Sequence, residues 1–383
     1  MSVGPDRGLR AVPSGGPEEN GSEASAAPGG ASVGDAPGSE SDLPGSVRDD
    51  PAPSGRRGPP GSGTFSLENR PAPGLYVVAW LLALAGVGLF VVAGGAASSA
   101  PAGRPAGGVA VALLFVAFLA LALACASAAG YQVLARIDRR ADRYRGPSPL
   151  ILAGVVICGT TFVVGLLSVV GLIAPQSDSI GALVDVALTT CAYLRAIWLF
   201  VVRTGAMGWP AMGWPAGWRS ALPRLVGDAV AGVAVILPTY LVTVLVGAVL
   251  ATLLGARLPE LPIPRTGPDV FFTIVAAVVI APIGEESFFR GLSLTAWWRD
   301  LGLRSALLRS TLFFAAAHIL NVTATSAGDG LRTAILQFVV ILPVGYVLGW
   351  LFSQRGIVAS IAGHMTFNAV GVLLLVASGI VRV

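Results

Sequence analysis

The chain has 383 residues, of which 54% are hydrophobic and only 12% charged, with a formal net charge of +4. That balance, with repeated apolar runs of about 17 to 25 residues, excludes an ordinary soluble domain and fits a polytopic α-helical membrane protein. Every one of the 25 basic residues is arginine. Beyond residue 70 they sit at helix ends and in loops, which the positive-inside rule explains without nucleic acid as a partner.

Residues 1–70 are rich in Gly, Pro, Ser, Ala and Glu and carry ten acidic groups against six arginines. So little apolar surface cannot offset the entropy of ordering, and the segment reads as a disordered tail. Nine apolar runs follow, at 75–95, 107–130, 150–174, 181–203, 226–255, 268–284, 305–322, 333–352 and 357–380. The fold class is therefore all-α, a transmembrane bundle of about 8–9 spans. We divide it into accessory transmembrane helices over 71–225 and a core over 226–383.

Pro282 and Gly284 close the sixth run. As helix-start signals they predict a break there, with a new helix opening at Glu285. The loop 131–149 holds Arg136, Arg139, Arg140, Arg143 and Arg145. Placing it inside puts the N-terminus in the cytoplasm of a multi-pass protein of the plasma membrane; Arg257, Arg265 and Arg332 go against that alternation. Between the fourth and fifth runs, Trp209, Trp214 and Trp218 form a short repeat expected to anchor at the headgroups. Cys125, Cys158 and Cys191 lie in separate runs with no paired spacing, which argues against a disulfide framework or a cysteine zinc site.

Ionisable groups inside membrane spans are costly and mark functional sites by default. Here they concentrate in the last hundred residues. Glu285 and Glu286 are adjacent, so a helix points them about 100° apart. Glu286 and Arg290 are four apart and can pair, which frees Glu285 to face a cavity. The bland alternative is an interfacial carboxylate pair balanced by Arg290. The only two histidines are His318, one turn after Phe314, and His364, one turn before Asn368. His364 and Asn368 offer two donors on one helix face, the arrangement a developing oxyanion needs. An interhelical hydrogen bond would place the same residues there. Together, a carboxylate to deprotonate water, a histidine to orient it and a His/Asn donor pair make a peptide-hydrolysis site.

These three motifs, Glu285-Glu286-x-x-x-Arg290, Phe314-x-x-x-His318 and His364-x-x-x-Asn368, resemble the signature motifs of the CPBP intramembrane proteases. That family includes the type II CAAX prenyl endopeptidases and the bacteriocin-processing (Abi) proteins. The resemblance spans roughly residues 230–380. It implies Glu285 as general base, Glu286 holding Arg290, His318 helping to bind the water, and His364 with Asn368 stabilising the oxyanion.

No obligatory cofactor is expected. A zinc ion, if used, would take Glu285, His318 and His364, a His₂Glu set, but that would remove His364 from the oxyanion role. The expected partners are the bilayer and a membrane-associated peptide or protein substrate. Two other readings remain open at this stage: a catalytically silent scaffold or immunity protein of the same fold, and a proton-coupled transporter. The sequence leaves oligomeric state open, because the Gly345/Gly349 pair permits close helix contact within or between subunits.

Overall fold

The computed structural model describes residues 67, 69–98, 107–174, 179–256, 267–322 and 326–378. Most of the tail predicted to be disordered lies outside them. The described residues form nine principal helices. They are α1 (Pro73–Ser98), α2 (Gly108–Ala135), α3 (Pro149–Val169), α4 (Ser179–Val202), α5 (Trp218–Leu254), α6 (Gly267–Leu301), α7 (Leu303–Ile319), α8 (Ala327–Arg355) and α9 (Ile357–Ala377).

Eight of them are long and apolar enough to cross a membrane. The exception is α7, whose 17 residues extend only about 25 Å. On the outermost helix, α1, Leu81, Leu84 and Val91 are each more than 60% exposed. An apolar face left bare on this scale suits lipid and not water. The helices chain from α1 through α2 and α3 to α4, which packs on α6, while α5 packs on α8 and α9 and α7 packs on α8. The helix α5 runs unbroken through the 225/226 boundary that the sequence suggested.

The predicted break at Pro282 does not occur. The helix α6 continues through it by widening into π turns at Ile274–Ile280 and Ser287–Leu294. Glu285 and Glu286 therefore sit mid-helix and not in a first turn, so no helix dipole favours them. Carbonyls along the second π segment are met by side chains: Ser293 Oγ donates to Phe288 O, and Ser310 Oγ from α7 donates to Phe289 O. Widened turns of this kind often mark functional sites.

Close approaches between helices use glycine. A Cβ on Gly345 would press Phe314, and one on Gly349 would press Leu307 and Leu294, so this GxxxG pair serves the α7–α8 contact inside the subunit. A Cβ on Gly232 would lie only 2.2 Å from the carbonyl oxygen of Ala359, which makes α5 and α9 meet backbone to backbone. Two tryptophans of the repeat, Trp209 and Trp214, stack edge to face at 6.3 Å and pack, partly exposed, on the core around buried Met212.

One end of the bundle gathers the arginines. Arg139 pairs with Asp300 at 3.3 Å, the backbone N–H of Tyr144 donates to Asp300, and Arg355 and Arg224 flank Asp228. Burial of the Tyr144 ring in this cluster pushes its phenol above the usual range. Among the described residues only Arg332 falls toward the opposite end; Arg257 and Arg265 lie outside them.

Candidate active site

The centre of the site is a buried ion pair. Glu286 and Arg290 are both fully buried and bond at 2.8 Å. A charge so placed is costly to bury, and further contacts offset part of that cost. Arg290 Nη2 donates to Gly345 O at 3.2 Å and the guanidinium lies 4.0 Å from the centre of the Phe314 ring, while Arg290 Nε has no hydrogen-bond partner among the described residues. Glu286 also accepts from His364 Nδ1 at 2.8 Å and from the hydroxyl of Ser360. Four helices, α6, α7, α8 and α9, are thereby tied to one carboxylate–guanidinium pair.

Glu285 points elsewhere, as its 100° offset from Glu286 requires. Its side chain is 25% exposed, and its Oε2 lies 3.9 Å from His318 Nε2 and 3.9 Å from His364 Nε2. That oxygen is buried with no hydrogen-bond partner among the described residues. Both separations are too long for direct bonds, yet one water oxygen about 2.8 Å from each group would bridge them.

The tautomer of His318 follows from its other nitrogen. Nδ1 is 2.8 Å from the Phe314 carbonyl oxygen, which only accepts, so Nδ1 carries a proton. In the neutral ring Nε2 is then an acceptor facing Glu285. Two acceptors facing each other need a donor between them. His364 is oriented in the same way, with Nδ1 donating to Glu286 and Nε2 turned toward Glu285.

Asn368 is engaged differently. Its Nδ2 donates to Ala277 O at 2.7 Å. In a π turn that carbonyl would take the N–H five residues on, but residue 282 is proline and has none. The neighbouring N–H, that of Ala281, goes to Ala276. Asn368 supplies the missing donor and keeps one amide N–H for other use. His364 and Asn368 thus share a helix face as the spacing implied, but each is held by a separate acceptor.

A cavity of about 300 Å³ reaches Glu285 and His318, with Thr160, Asp185, Thr189 and Asn321 also on its wall. Asp185 of α4 faces this cavity. Gly284 lets α4 approach: a Cβ there would touch Thr190, whose hydroxyl lies 3.3 Å from Ile280 O. The two directions along α6 differ. From Glu286 to Ala296, toward the arginine-rich end, every residue is buried; from Gly267 to Glu285 most are partly exposed. The cavity also reaches exposed Leu320 and Asn321, just past the end of α7. It therefore opens away from the arginines.

The donor set for zinc is present in kind, since both histidines also donate Nδ1 to oxygen acceptors as metal-bound histidines do. In spacing it fits less well. Donors around tetrahedral zinc lie about 3.4 Å apart, against 3.9 Å from Glu285 to each histidine. No group of three or more His, Cys, Asp or Glu side chains among the described residues meets closely enough to hold a metal.

Sequence reasoning missed Ser360, although it lies one turn before His364 on the same face and is the kind of hydroxyl that a buried carboxylate recruits. It also missed the link between Pro282 and Asn368. The absent N–H of the proline was the available signal, but its acceptor can be identified only once the π turn is known.

A mid-helix carboxylate, two oriented imidazoles and a paired guanidinium thus meet among the apolar helices α6 to α9. Residues 267–370 match the family model for type II CAAX prenyl endopeptidase Rce1-like proteins, in agreement with the resemblance read from the motifs. The match supports a CAAX-type intramembrane protease and spans the helices α6 to α9, which hold the site. No curated protein and no solved structure matches the chain.

Proposed function

We propose that the protein is an intramembrane endopeptidase in which Glu285 activates water to cut a peptide bond of a membrane-associated substrate. The observation that carries this reading is the unpartnered Glu285 Oε2, 3.9 Å from both imidazole Nε2 atoms. A water held there donates one proton to Glu285 and one to His318 Nε2, leaving an oxygen lone pair free for attack. As the bond to the carbonyl carbon forms, Glu285 takes the proton and later passes it to the leaving amine. General base catalysis of this kind contributes roughly 10²–10⁴ in rate.

His364, in its doubly protonated form, donates Nε2–H to the oxyanion, and the free amide N–H of Asn368 is the second donor. A donor of this type is worth roughly 10²–10³. Glu286 and Arg290 do not react. They fix His364 and the helix that carries Glu285. No step needs a metal, and the spacing of Glu285 and the histidines suits a bridging water better than tetrahedral zinc.

The arginine-rich end is assigned to the cytoplasm by the positive-inside rule. Because the cavity opens away from it, the substrate is reached from the other face. A lipid-modified cytoplasmic protein fits that access less well than a peptide segment exposed across the membrane.

Reconstitution into liposomes tests the reading against a scaffold or a transporter. Incubation with membrane-peptide libraries, read by mass spectrometry, is expected to give discrete cleavage products and no pH change inside the vesicles. Proton flux without cleavage would overturn the assignment.

A further inference from the structure

The substrate cavity has a wall that the Rce1-like match does not cover. The matched segment begins at residue 267, yet α3 contributes Thr160 and Thr161, and α4 contributes Asp185 and Thr189. Asp185 and Thr189 are four apart and share a helix face. Asp185 has no hydrogen bond or ion pair from any described residue, and no arginine lines the cavity. The wall thus holds two carboxylates, Glu285 and Asp185, together with His318, whose Nδ1 is engaged by the Phe314 carbonyl.

A carboxylate inside a membrane cavity is costly until a cation or donors meet it. The surrounding hydroxyls and the Asn321 amide suit a peptide backbone, but they carry no positive charge. Asp185 lies five residues before Thr190, the residue in contact with Gly284, which is about 7.5 Å along α4. An extended peptide covers that distance in about two residues.

We propose that Asp185 is a specificity-determining residue that takes an arginine or lysine side chain of the substrate, about two residues from the scissile bond. The proposal rests on the protease reading but is tested apart from it. The full chain carrying Glu285→Gln is placed in nanodiscs, which removes turnover. Binding of fluorescent dodecapeptides is measured by anisotropy, with Arg, Gln or Glu scanned along an otherwise neutral sequence.

At one register the Arg peptide is expected to bind at least about tenfold tighter than the Gln peptide. Adding Asp185→Asn abolishes that preference, as does Asp185→Ser, a second variant in case the first alters folding. Asp185→Arg moves the preference to the Glu peptide. Affinity indifferent to charge at every register, or a preference for Arg that survives Asp185→Asn, overturns the proposal. In otherwise wild-type protein, a uniform fall of kcat across all peptides with unchanged KM would also overturn it, because it marks a proton-transfer role. Absence of any turnover in wild type counts against the protease reading alone.

Discussion

Asn368 donates through Nδ2 to the Ala277 carbonyl, 2.7 Å away, and that carbonyl lacks a backbone partner because residue 282 is proline. A side chain of α9 thereby completes the hydrogen bonding of α6 about two turns before Glu285. Asn368→Ala leaves the carbonyl unsatisfied and is expected to cost about 1–3 kcal/mol of stability. Pro282→Ala restores an N–H at the position where the π turn needs it. In the Pro282→Ala background, Asn368→Ala should therefore cost less, and a double-mutant cycle by thermal unfolding in detergent measures the difference.

The Glu286–Arg290 pair is fully buried, so removing one partner strands the other. Arg290→Ala is expected to destabilise the protein by about 3–5 kcal/mol, read as a lower unfolding midpoint and reduced folded yield. Arg290→Lys should rescue little. Lysine has no planar fork to reach Glu286 and Gly345 together, and it stacks less well on Phe314.

Ser360→Ala removes one hydrogen bond to Glu286 and leaves Arg290 and His364 in place. Its expected cost is about 1–3 kcal/mol, less than that of Arg290→Ala. It should also lower kcat more than it raises KM, because Glu286 orients His364. A fall in stability with unchanged kcat would show that His364 does not depend on this carboxylate.

Access from the arginine-poor side is open to chemical labelling. In a background lacking Cys125, Cys158 and Cys191, Asn321→Cys is expected to react with a membrane-impermeant maleimide added outside intact cells. A cysteine at Arg140, on the arginine-rich end, should react only after permeabilisation. The reverse pattern would invert the orientation.

The sequence made some of this legible because certain rules are local. Helical spacing alone predicted that Glu286 pairs with Arg290 and that Glu285 turns away, and the structure has both. The nine apolar runs correspond to the nine principal helices, with only α7 short of a full span. Pro282 and Gly284 misled because tertiary packing overrode a local stop signal: α6 widens into π turns, Asn368 satisfies the carbonyl, and Gly284 serves the contact with Thr190. That Asp185 faces the cavity was not legible, because spacing along one helix does not encode where α4 crosses α6.

The central claim is that Glu285 activates water without a metal. The most direct measurement compares wild type with Glu285→Gln on a cleaved substrate, each with and without a strong chelator. The account predicts that Glu285→Gln loses at least about 10² in kcat while folding as wild type does, and that chelation leaves the wild-type rate unchanged. Loss of wild-type activity on chelation with recovery on adding zinc, or a Glu285→Gln rate close to wild type, would contradict it.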